Sequence, residues 1–256
     1  MRLQNSTWPK IKDYFKENDI VILGLGSCEC HGTHLPLGTD FIVADKIIDL
    51  VEQKKPNILI TPTIPYGSSN YFSEFPGTIS IGTECLYNVL MKVINSLFEA
   101  GARKFIIING HGGNIPAIEM AGYEIGKKGA LMSILNWWIM AKDLNSSWNG
   151  GHAGGLETAA IMYINPEIVD WKAIRDSNYK DLSTNIKATG LKTVEFNGVE
   201  VTVPRNVSDA TDNGWIGPDH PNQASEDWGK DMLENISEYI AEFINEFNSV
   251  ELKYRK

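Results

Sequence analysis

The chain has 256 residues and a formal net charge of −9, with 43% hydrophobic and 21% charged residues. This composition is typical of a globular protein, and the lack of a basic excess argues against a nucleic-acid-binding function. No apolar run reaches the ~18 residues of a membrane-spanning helix, so we expect no membrane partner.

The sequence also indicates a reducing compartment. The N-terminal sequence MRLQNSTWPKIKDYFKEND is polar and lacks the apolar centre of a signal peptide. Three cysteines, Cys28, Cys30 and Cys85, do not make a disulfide framework. We therefore expect a cytoplasmic protein.

Strands and helices alternate through the first half of the chain. A short helix opens at Trp8-Pro9, and residues 19–26 (DIVILGLG) form an apolar run typical of a strand buried on both faces. Further strands are predicted over residues 57–62, 104–109 and 131–138, and amphipathic helices over residues 41–53, 84–100 and 115–127. Short connections between alternating strands and helices predict a parallel sheet with helices on both faces.

The second half of the chain is less regular. Residues 191–204 are predicted to form a hairpin that turns at Asn197-Gly198. Ser225 is expected to cap a final helix, and the carboxy-terminal ELKYRK to be a solvated tail. Without an internal repeat or a linker, residues 1–256 are predicted to be a single domain with a hairpin insertion.

The loop GLGSCECHGTHLPLGTD, residues 24–40, contains four groups that can bind a metal: Glu29, His31, His34 and Asp40. Glu29 and His31 are two residues apart, which places both side chains on one side of extended backbone. Asp40 stands where the next helix begins. Cys28 and Cys30 flank Glu29, but no second C-x-C pair is present, so packing is favoured over thiolate ligation.

Two later segments contain matching groups. His111 lies in NGHGGN after the third strand, His152 lies before a helix in GGHAGGLETAA, and Glu157 falls within that helix's first turn. Loops that follow parallel strands emerge along one edge of a sheet, so these segments can approach the first loop. The carboxylate and imidazole groups suit Zn²⁺ or Mn²⁺, and a shared aspartate would hold two ions ~3.5–4 Å apart.

These motifs resemble the creatininase (creatinine amidohydrolase) family. The matching pieces are GSCECHGTHLPLGTD, FPGTIS, NGHGGN, HAGGLETA and GWIGPDHPNQASEDWG, which run from about residue 20 to residue 230. The resemblance implies a three-layer α/β/α sandwich on a mostly parallel sheet, assembled as a homo-oligomer with a hexamer favoured. It also implies two divalent ions per chain, Zn²⁺ and/or Mn²⁺.

By motif position, the resemblance assigns roles to residues. It implies that the metal ligands are Glu29, His31, Asp40, His111 and Glu157, with Asp40 bridging. It implies that His152 transfers protons, with Glu157 beside it in the catalytic group. The family's tyrosine and metal-binding glutamate after the NGH histidine are replaced here by Gly112 and Gly113. This change argues against creatinine as the natural substrate.

The expected reaction is hydrolysis of a non-peptide C–N bond, in a small cyclic amide or a formamide, by a metal-bridging hydroxide. Backbone N–H groups of the loop that holds Gly112, Gly113 and Asn114 could polarise the carbonyl. The alternatives are a formamide hydrolase acting on a pyrimidine-nucleotide intermediate, an enzyme that trims a modified peptide C-terminus, and a catalytically silent metal-binding protein.

For several other residues the sequence indicates a supporting role or allows two different roles. His34 is expected to hydrogen-bond a ligand and orient it. Trp148, with Trp137 or Trp138, either belongs to the substrate pocket or packs in the core. Four aromatic residues could line a substrate entrance or a subunit contact: Tyr66, Tyr71, Phe72 and Phe75. Asp219 and His220 either approach a neighbouring site or lie on an exposed loop.

Overall fold

A four-stranded parallel sheet forms the centre of the protein. The computed structural model describes residues 1–252, so most of the predicted tail ELKYRK lies outside the described residues. The strands are β1 (Ile20–Leu25), β2 (Leu59–Ile60), β3 (Lys104–Asn109) and β4 (Leu131–Asn136). They lie in the order β2-β1-β3-β4, and every neighbouring pair is parallel.

Eight α-helices accompany these strands within the described residues. In chain order they are α1 (Trp8–Glu17), α2 (Thr39–Lys54), α3 (Gly82–Ala100), α4 (Ile115–Lys127), α5 (Trp137–Leu144), α6 (Gly155–Ile164), α7 (Val207–Ala210) and α8 (Glu226–Ser249). Side chains of α2, α5, α6 and α8 form one core with the sheet, and side chains of α1, α3 and α4 form another. This arrangement confirms the predicted three-layer α/β/α sandwich.

Alternate side chains of each central strand belong to the two different cores. In β1, Ile20 and Ile22 face the first core, whereas Val21 and Leu23 face the second. Successive side chains of a strand point to opposite faces, so a strand covered on both sides must be apolar throughout. That requirement explains the continuous apolar runs that predicted β1 and β3.

The predicted hairpin is confirmed and belongs to a second, small sheet. The strands β5 (Lys187–Ala188), β6 (Thr193–Phe196) and β7 (Val199–Thr202) pair antiparallel. Asn197 and Gly198 connect β6 to β7 with φ values of 51° and 79°. Positive φ at both central residues fits the backbone twist of a two-residue hairpin loop.

Two predicted strands are shorter in the structure. The strand predicted over residues 131–138 ends at Asn136, where the register with β3 also ends, and Trp137 begins α5. Trp137 and Trp138 therefore lie on a helix. The strand predicted over residues 57–62 is limited to Leu59–Ile60, because only these residues pair with β1.

The remaining elements follow their sequence signals. Helix α3 ends at Ala100 and is followed by Gly101, whose φ of 131° suits glycine. At the start of α8, Ser225 Oγ accepts a hydrogen bond from Trp228 N. Within residues 1–252, no helix combines the length and the apolarity needed to cross a lipid bilayer.

Helix α8 approaches α6 closely through Gly229. A Cβ atom at this position would lie 1.8 Å from the carbonyl oxygen of Ala159 in α6. Because α6 also contains Glu157, this contact helps to fix one wall of the candidate site. In contrast, a Cβ atom at Gly126 in α4 would meet no atom within 4 Å.

We expect Gly229→Ala to lower the free energy of unfolding by about 1–3 kcal/mol, because the two helices must move apart. The matched control Gly126→Ala should leave this free energy unchanged or raise it by about 0.5–1 kcal/mol, since alanine has the higher helix propensity. Urea titrations of both variants measure the difference. Equal midpoints for the two variants would contradict the packing argument.

Candidate metal centre

Three chain segments meet at the carboxyl edge of the parallel sheet. They are the loop after β1, the loop after β3 and the segment that leads into α6. Glycines at the two strand ends admit the N-terminus of α2 between them: a Cβ atom at Gly26 would lie 2.4 Å from Phe41 Cα, and one at Gly110 would lie 2.1 Å from the carbonyl oxygen of Asp40. Asp40 is thereby placed between the loops that follow β1 and β3.

The first set of candidate ligands consists of Glu29, Asp40 and His111, all buried. His111 Nδ1 lies 3.1 Å from Asp40 Oδ2, and His111 Nε2 lies 3.1 Å from Glu29 Oε2. Strand β1 ends at Leu25, so Glu29 lies in the loop beyond it.

The second set consists of His31, Asp40 and Glu157, also buried. His31 Nε2 lies 3.0 Å from Asp40 Oδ1 and 3.6 Å from Glu157 Oε2. Asp40 thus presents one carboxylate oxygen to each set. This is the arrangement that two neighbouring ions with one shared carboxylate require.

Each histidine of the cluster is oriented by a backbone carbonyl. His31 Nδ1 donates to Glu29 O at 3.0 Å, His111 Nε2 donates to Ser68 O at 3.1 Å, and His152 Nε2 donates to Cys30 O at 2.8 Å. A carbonyl can only accept, so the other nitrogen of each ring is left to face a carboxylate, although His111 Nε2 lies near Glu29 as well as near the Ser68 carbonyl. Metal-binding histidines are commonly held in this way.

Three buried carboxylate oxygens of the cluster have imidazole nitrogens 3.1–3.7 Å away but no partner in hydrogen-bonding geometry. Among the described residues, Glu29 Oε1, Glu29 Oε2 and Asp40 Oδ2 are buried and receive no hydrogen bond. Burying an unpaired carboxylate oxygen is costly, and a bound cation would remove that cost. The thiols of Cys28 and Cys30 belong to none of the candidate ligand sets. The residues therefore fit Zn²⁺ or Mn²⁺ held by oxygen and nitrogen.

Burial and mutual charge shift the pKa values of the cluster. Burial opposes protonation of His31, but Asp40, Glu157 and Glu29 outweigh it and raise the pKa of His31 to about 10. The carboxylates of Glu29 and Asp40 likewise outweigh burial and raise the pKa of His111 well above its ordinary value. Burial raises the pKa of Glu157 to about 7. Without a cation, the cluster keeps protons that ligands must release.

His152 lies at the mouth of the cluster. Its ring lies between those of His31 and Phe72, with centroids 4.3 Å and 4.6 Å away and the ring planes tilted by 36° and 34°. Its Nδ1 lies 3.7 Å from Glu29 Oε1. Burial and the neighbouring His31 lower the pKa of His152 well below its ordinary value, so the ring is neutral near pH 7.

Three residues predicted to support the site lie behind it. His34 was expected to hydrogen-bond a candidate ligand. Its Nε2 atom instead lies 3.0 Å from the Thr158 hydroxyl oxygen, so its contact is with helix α6. The side chain of Asn114 accepts a hydrogen bond from Ser68 N and donates one to Gly26 O, so it connects three loops. A Cβ atom at Gly113 would lie 2.5 Å from both His111 Nε2 and the Tyr71 hydroxyl oxygen. Only glycine fits beside these groups.

A cavity of about 200 Å³ opens onto the cluster. Gly112 lines it, and its apolar walls are formed by Tyr71, Phe72, Trp138, Leu156, Leu191 and Ile216. Of the aromatic residues considered from the sequence, Tyr71, Phe72 and Trp138 line this cavity, whereas Trp137 is buried in the core and Trp148 packs against it. Sequence analysis missed Leu191 and Ile216, because neither the predicted hairpin segment nor the motif GWIGPDHPNQASEDWG shows which side chains turn towards the cavity.

The sequence allows two positions for Asp219, near a neighbouring site or on an exposed loop. The structure buries it, with 9% of the residue exposed, and its carboxylate accepts hydrogen bonds from Gly151 N and Leu156 N. His220 lies further out and pairs with Asp176 at 3.2 Å.

Comparison with known proteins agrees with this geometry. A family model described as "Creatininase: Creatinine amidohydrolase" matches residues 4–244. The mycofactocin precursor peptide peptidase of Mycobacterium ulcerans (strain Agy99) is 34% identical over 172 residues, which span 64% of this chain and 62% of that relative. The Mycobacterium tuberculosis (strain ATCC 25618 / H37Rv) protein of the same name is 31% identical over 198 residues, 70% of this chain and 73% of the relative.

Solved structures share the fold over nearly the whole length. A crystal structure of creatinine amidohydrolase (creatininase) superposes with a TM-score of 0.76 at 20% identity, covering 98% of both chains. A manganese form of creatininase gives a TM-score of 0.76 at 20% identity, covering 97% of this chain and 99% of the other. A Zn–Zn form of a creatininase variant gives 0.74 at 21% identity, with 97% and 98% covered. Since the family model spans nearly all of the sequence, this chain belongs to the creatininase family of amidohydrolases.

Proposed function

We propose that the protein is a metal-dependent hydrolase of amide C–N bonds that uses two divalent ions per chain, Zn²⁺ and/or Mn²⁺. The observation that carries this proposal is the position of Asp40, whose two carboxylate oxygens face two different ligand sets. The complete set of acidic and imidazole groups argues against a catalytically silent protein.

Bound ions of this kind polarise a carbonyl group and lower the pKa of water. The protein's contribution is to hold the ligands and to exclude bulk solvent. Glu29, Asp40 and His111 would hold one ion, and His31, Asp40 and Glu157 the other. The buried oxygens of Glu29 and Asp40 that receive no hydrogen bond are the strongest support for this assignment.

His152 is the residue that we assign to proton transfer. Its Nε2–H donates a hydrogen bond to the Cys30 carbonyl. Its Nδ1, which faces Glu29 in the cluster, is therefore the nitrogen that can accept a proton. Its lowered pKa keeps this nitrogen unprotonated at neutral pH. A proton accepted there can then be passed to the leaving nitrogen of the amide.

The glycine-rich loop after β3 supports the substrate carbonyl in this proposal. Three of its N–H groups are already engaged: Gly110 N with Leu25 O, His111 N with Asn109 Oδ1, and Asn114 N with His111 O. We therefore assign the contact with the carbonyl oxygen to the N–H of Gly112, which lines the cavity.

The cavity's size and apolar walls favour a small amide, and we propose a cyclic amide or a formamide. None of the cavity's described lining residues is a lysine or an arginine, which disfavours the alternative of a pyrimidine-nucleotide substrate. The peptidase names of the mycobacterial relatives support a different alternative, a bond at the end of a peptide chain.

The assembly and location of the protein are also proposals. We propose a homo-oligomer, with a hexamer favoured, and a cytoplasmic location, on the resemblance and composition described above. We further propose that residues 1–256 form one domain, because the family model spans residues 4–244.

Metal content tests the shared carboxylate. Elemental analysis of protein purified without chelator or nickel resin should find about two Zn or Mn ions per chain. Asp40→Asn should lose both ions, and Glu157→Gln should lose one. The control is Asp49→Asn on the same helix, whose exposed carboxylate pairs with Arg2 and should leave the content unchanged. A wild-type protein that takes up no metal on titration would overturn the proposal.

Removal of the proton-transfer group should separate metal binding from turnover. His152→Ala is expected to lose about a hundredfold or more in kcat, from the usual size of general acid–base catalysis, while it keeps both ions. The measurement is hydrolysis of the best substrate from a screen of cyclic amides and formamides. His220→Asn, which changes a histidine outside the cluster, is the control. Wild-type kcat in His152→Ala would remove this residue from the mechanism.

Metal binding should release protons. His31 has a pKa of about 10 in the metal-free cluster, so near pH 7 it holds a proton that a ligand nitrogen must lose. Affinity should therefore rise with pH up to that pKa and fall as the solution becomes more acidic. Calorimetric titration of the metal-free protein in two buffers of different ionisation enthalpy measures the protons released. Equal heats in the two buffers would contradict this expectation.

A further inference from the structure

The carboxylate of Asp219 lies directly behind the segment of residues 150–157. Asp219 Oδ1 accepts a hydrogen bond from Gly151 N at 2.9 Å, and Oδ2 accepts one from Leu156 N at 2.6 Å. The two donors stand on either side of His152 in the sequence, and Leu156 immediately precedes Glu157. One buried side chain thus connects both ends of this segment.

Glycines make room for this carboxylate. A Cβ atom would lie 2.5 Å from Asp219 Oδ2 if placed at Gly150, and 2.2 Å from Oδ1 if placed at Gly154. At Gly217 it would lie 2.7 Å from Oδ1, and at Gly155 it would lie 3.2 Å from Oδ2. Four glycines, Gly150, Gly154, Gly155 and Gly217, therefore border this one acidic side chain, whereas a Cβ atom at Gly151 would instead meet Gly217 Cα at 2.7 Å.

The same loop holds the backbone of His152. Ile216 N and Gly217 N both donate to His152 O, at 3.0 Å and 2.9 Å. The next residue, Ala153, has a φ of 57°, and its N–H donates to Glu157 Oε2 at 2.7 Å. A left-handed conformation is unfavourable for alanine and persists only where its surroundings enforce it.

Helix α6 lacks a side-chain cap of its own, because its N-cap residue is Gly154. Asp219 supplies the missing acceptor from a distant part of the chain, and its negative charge suits the positive end of the helix dipole. Since Glu157 lies in the first turn of α6, the position of its carboxylate depends on this cap.

We propose that Asp219 is a positioning residue that holds Glu157 in place and thereby sets the affinity of one of the two metal sites. The inference rests on the proposed function. Its direct effect falls on the site of His31, Asp40 and Glu157, because Asp219 Oδ2 accepts a hydrogen bond from Leu156 N, next to Glu157, whereas no hydrogen bond of the described residues joins Asp219 to Glu29 or His111.

The test is the metal stoichiometry and affinity of Asp219→Asn, measured by elemental analysis and chelator competition. The amide keeps one acceptor oxygen, but its NH₂ group would face the N–H of either Gly151 or Leu156. We expect affinity at one site to fall about 10–100-fold, the usual effect of losing a residue that supports a ligand. The other site should lose much less affinity, only the part that the shared Asp40 carboxylate transmits.

A matched control and a double variant separate positioning from general destabilisation. Asp212→Asn changes an exposed carboxylate on the same loop, paired with Lys180, and should bind both ions as the wild type does. Glu157→Gln combined with Asp219→Asn should lose no more metal than Glu157→Gln alone, because both changes act at one site. Gly154→Ala, whose Cβ atom would have three Asp219 atoms as its nearest neighbours, displaces the carboxylate without removing it and should reproduce the selective loss.

The outcomes are distinguishable. If the wild type binds two ions and Asp219→Asn also binds two with unchanged affinity, the inference is wrong while the proposed function stands. An equal loss of affinity at both sites would also overturn it, since that result indicates general destabilisation. A wild type that binds no metal would overturn the proposed function, and this inference with it.

Discussion

The structure depends on the burial of three carboxylates beside one another at the edge of the sheet. Glu29, Asp40 and Glu157 are all buried, and like charges so close together in a protein interior repel strongly. His31 and His111 offset part of this repulsion when they are protonated, which is why their pKa values rise. The oxygens that receive no hydrogen bond show that imidazolium groups alone do not satisfy the cluster.

The α/β/α sandwich brings these three carboxylates together at one edge of the sheet. Parallel pairing of β1 with β3 brings their following loops to one edge, and glycines at both strand ends let the N-terminus of α2 enter between them. Helix α6 then brings Glu157 from the other side, supported by α8 through Gly229. The apolar cores on the two faces of the sheet provide the rigidity that a site of this precision needs.

Local signals in the sequence predicted most of this frame. Apolar runs indicated β1 and β3, helical periodicity indicated α3, and Asn197-Gly198 marked the hairpin, because each depends on neighbouring residues. The motifs also predicted that six residues lie close together: Glu29, His31, Asp40, His111, His152 and Glu157. The partner of His34, the cavity-lining Leu191 and Ile216, and the burial of Asp219 were not predictable, because they are contacts between segments far apart in sequence. The end of β4 at Asn136 was missed because it depends on where β3 stops pairing.

The shared carboxylate of Asp40 has a thermodynamic consequence. One side chain in the first turn of α2 serves both ligand sets, so its charge and orientation are common to them. An ion bound in either set therefore changes the binding free energy of the other, and reciprocity makes that coupling energy equal in both directions. Under the proposed function the two sites are therefore thermodynamically coupled, and the occupancy of one depends on the occupancy of the other.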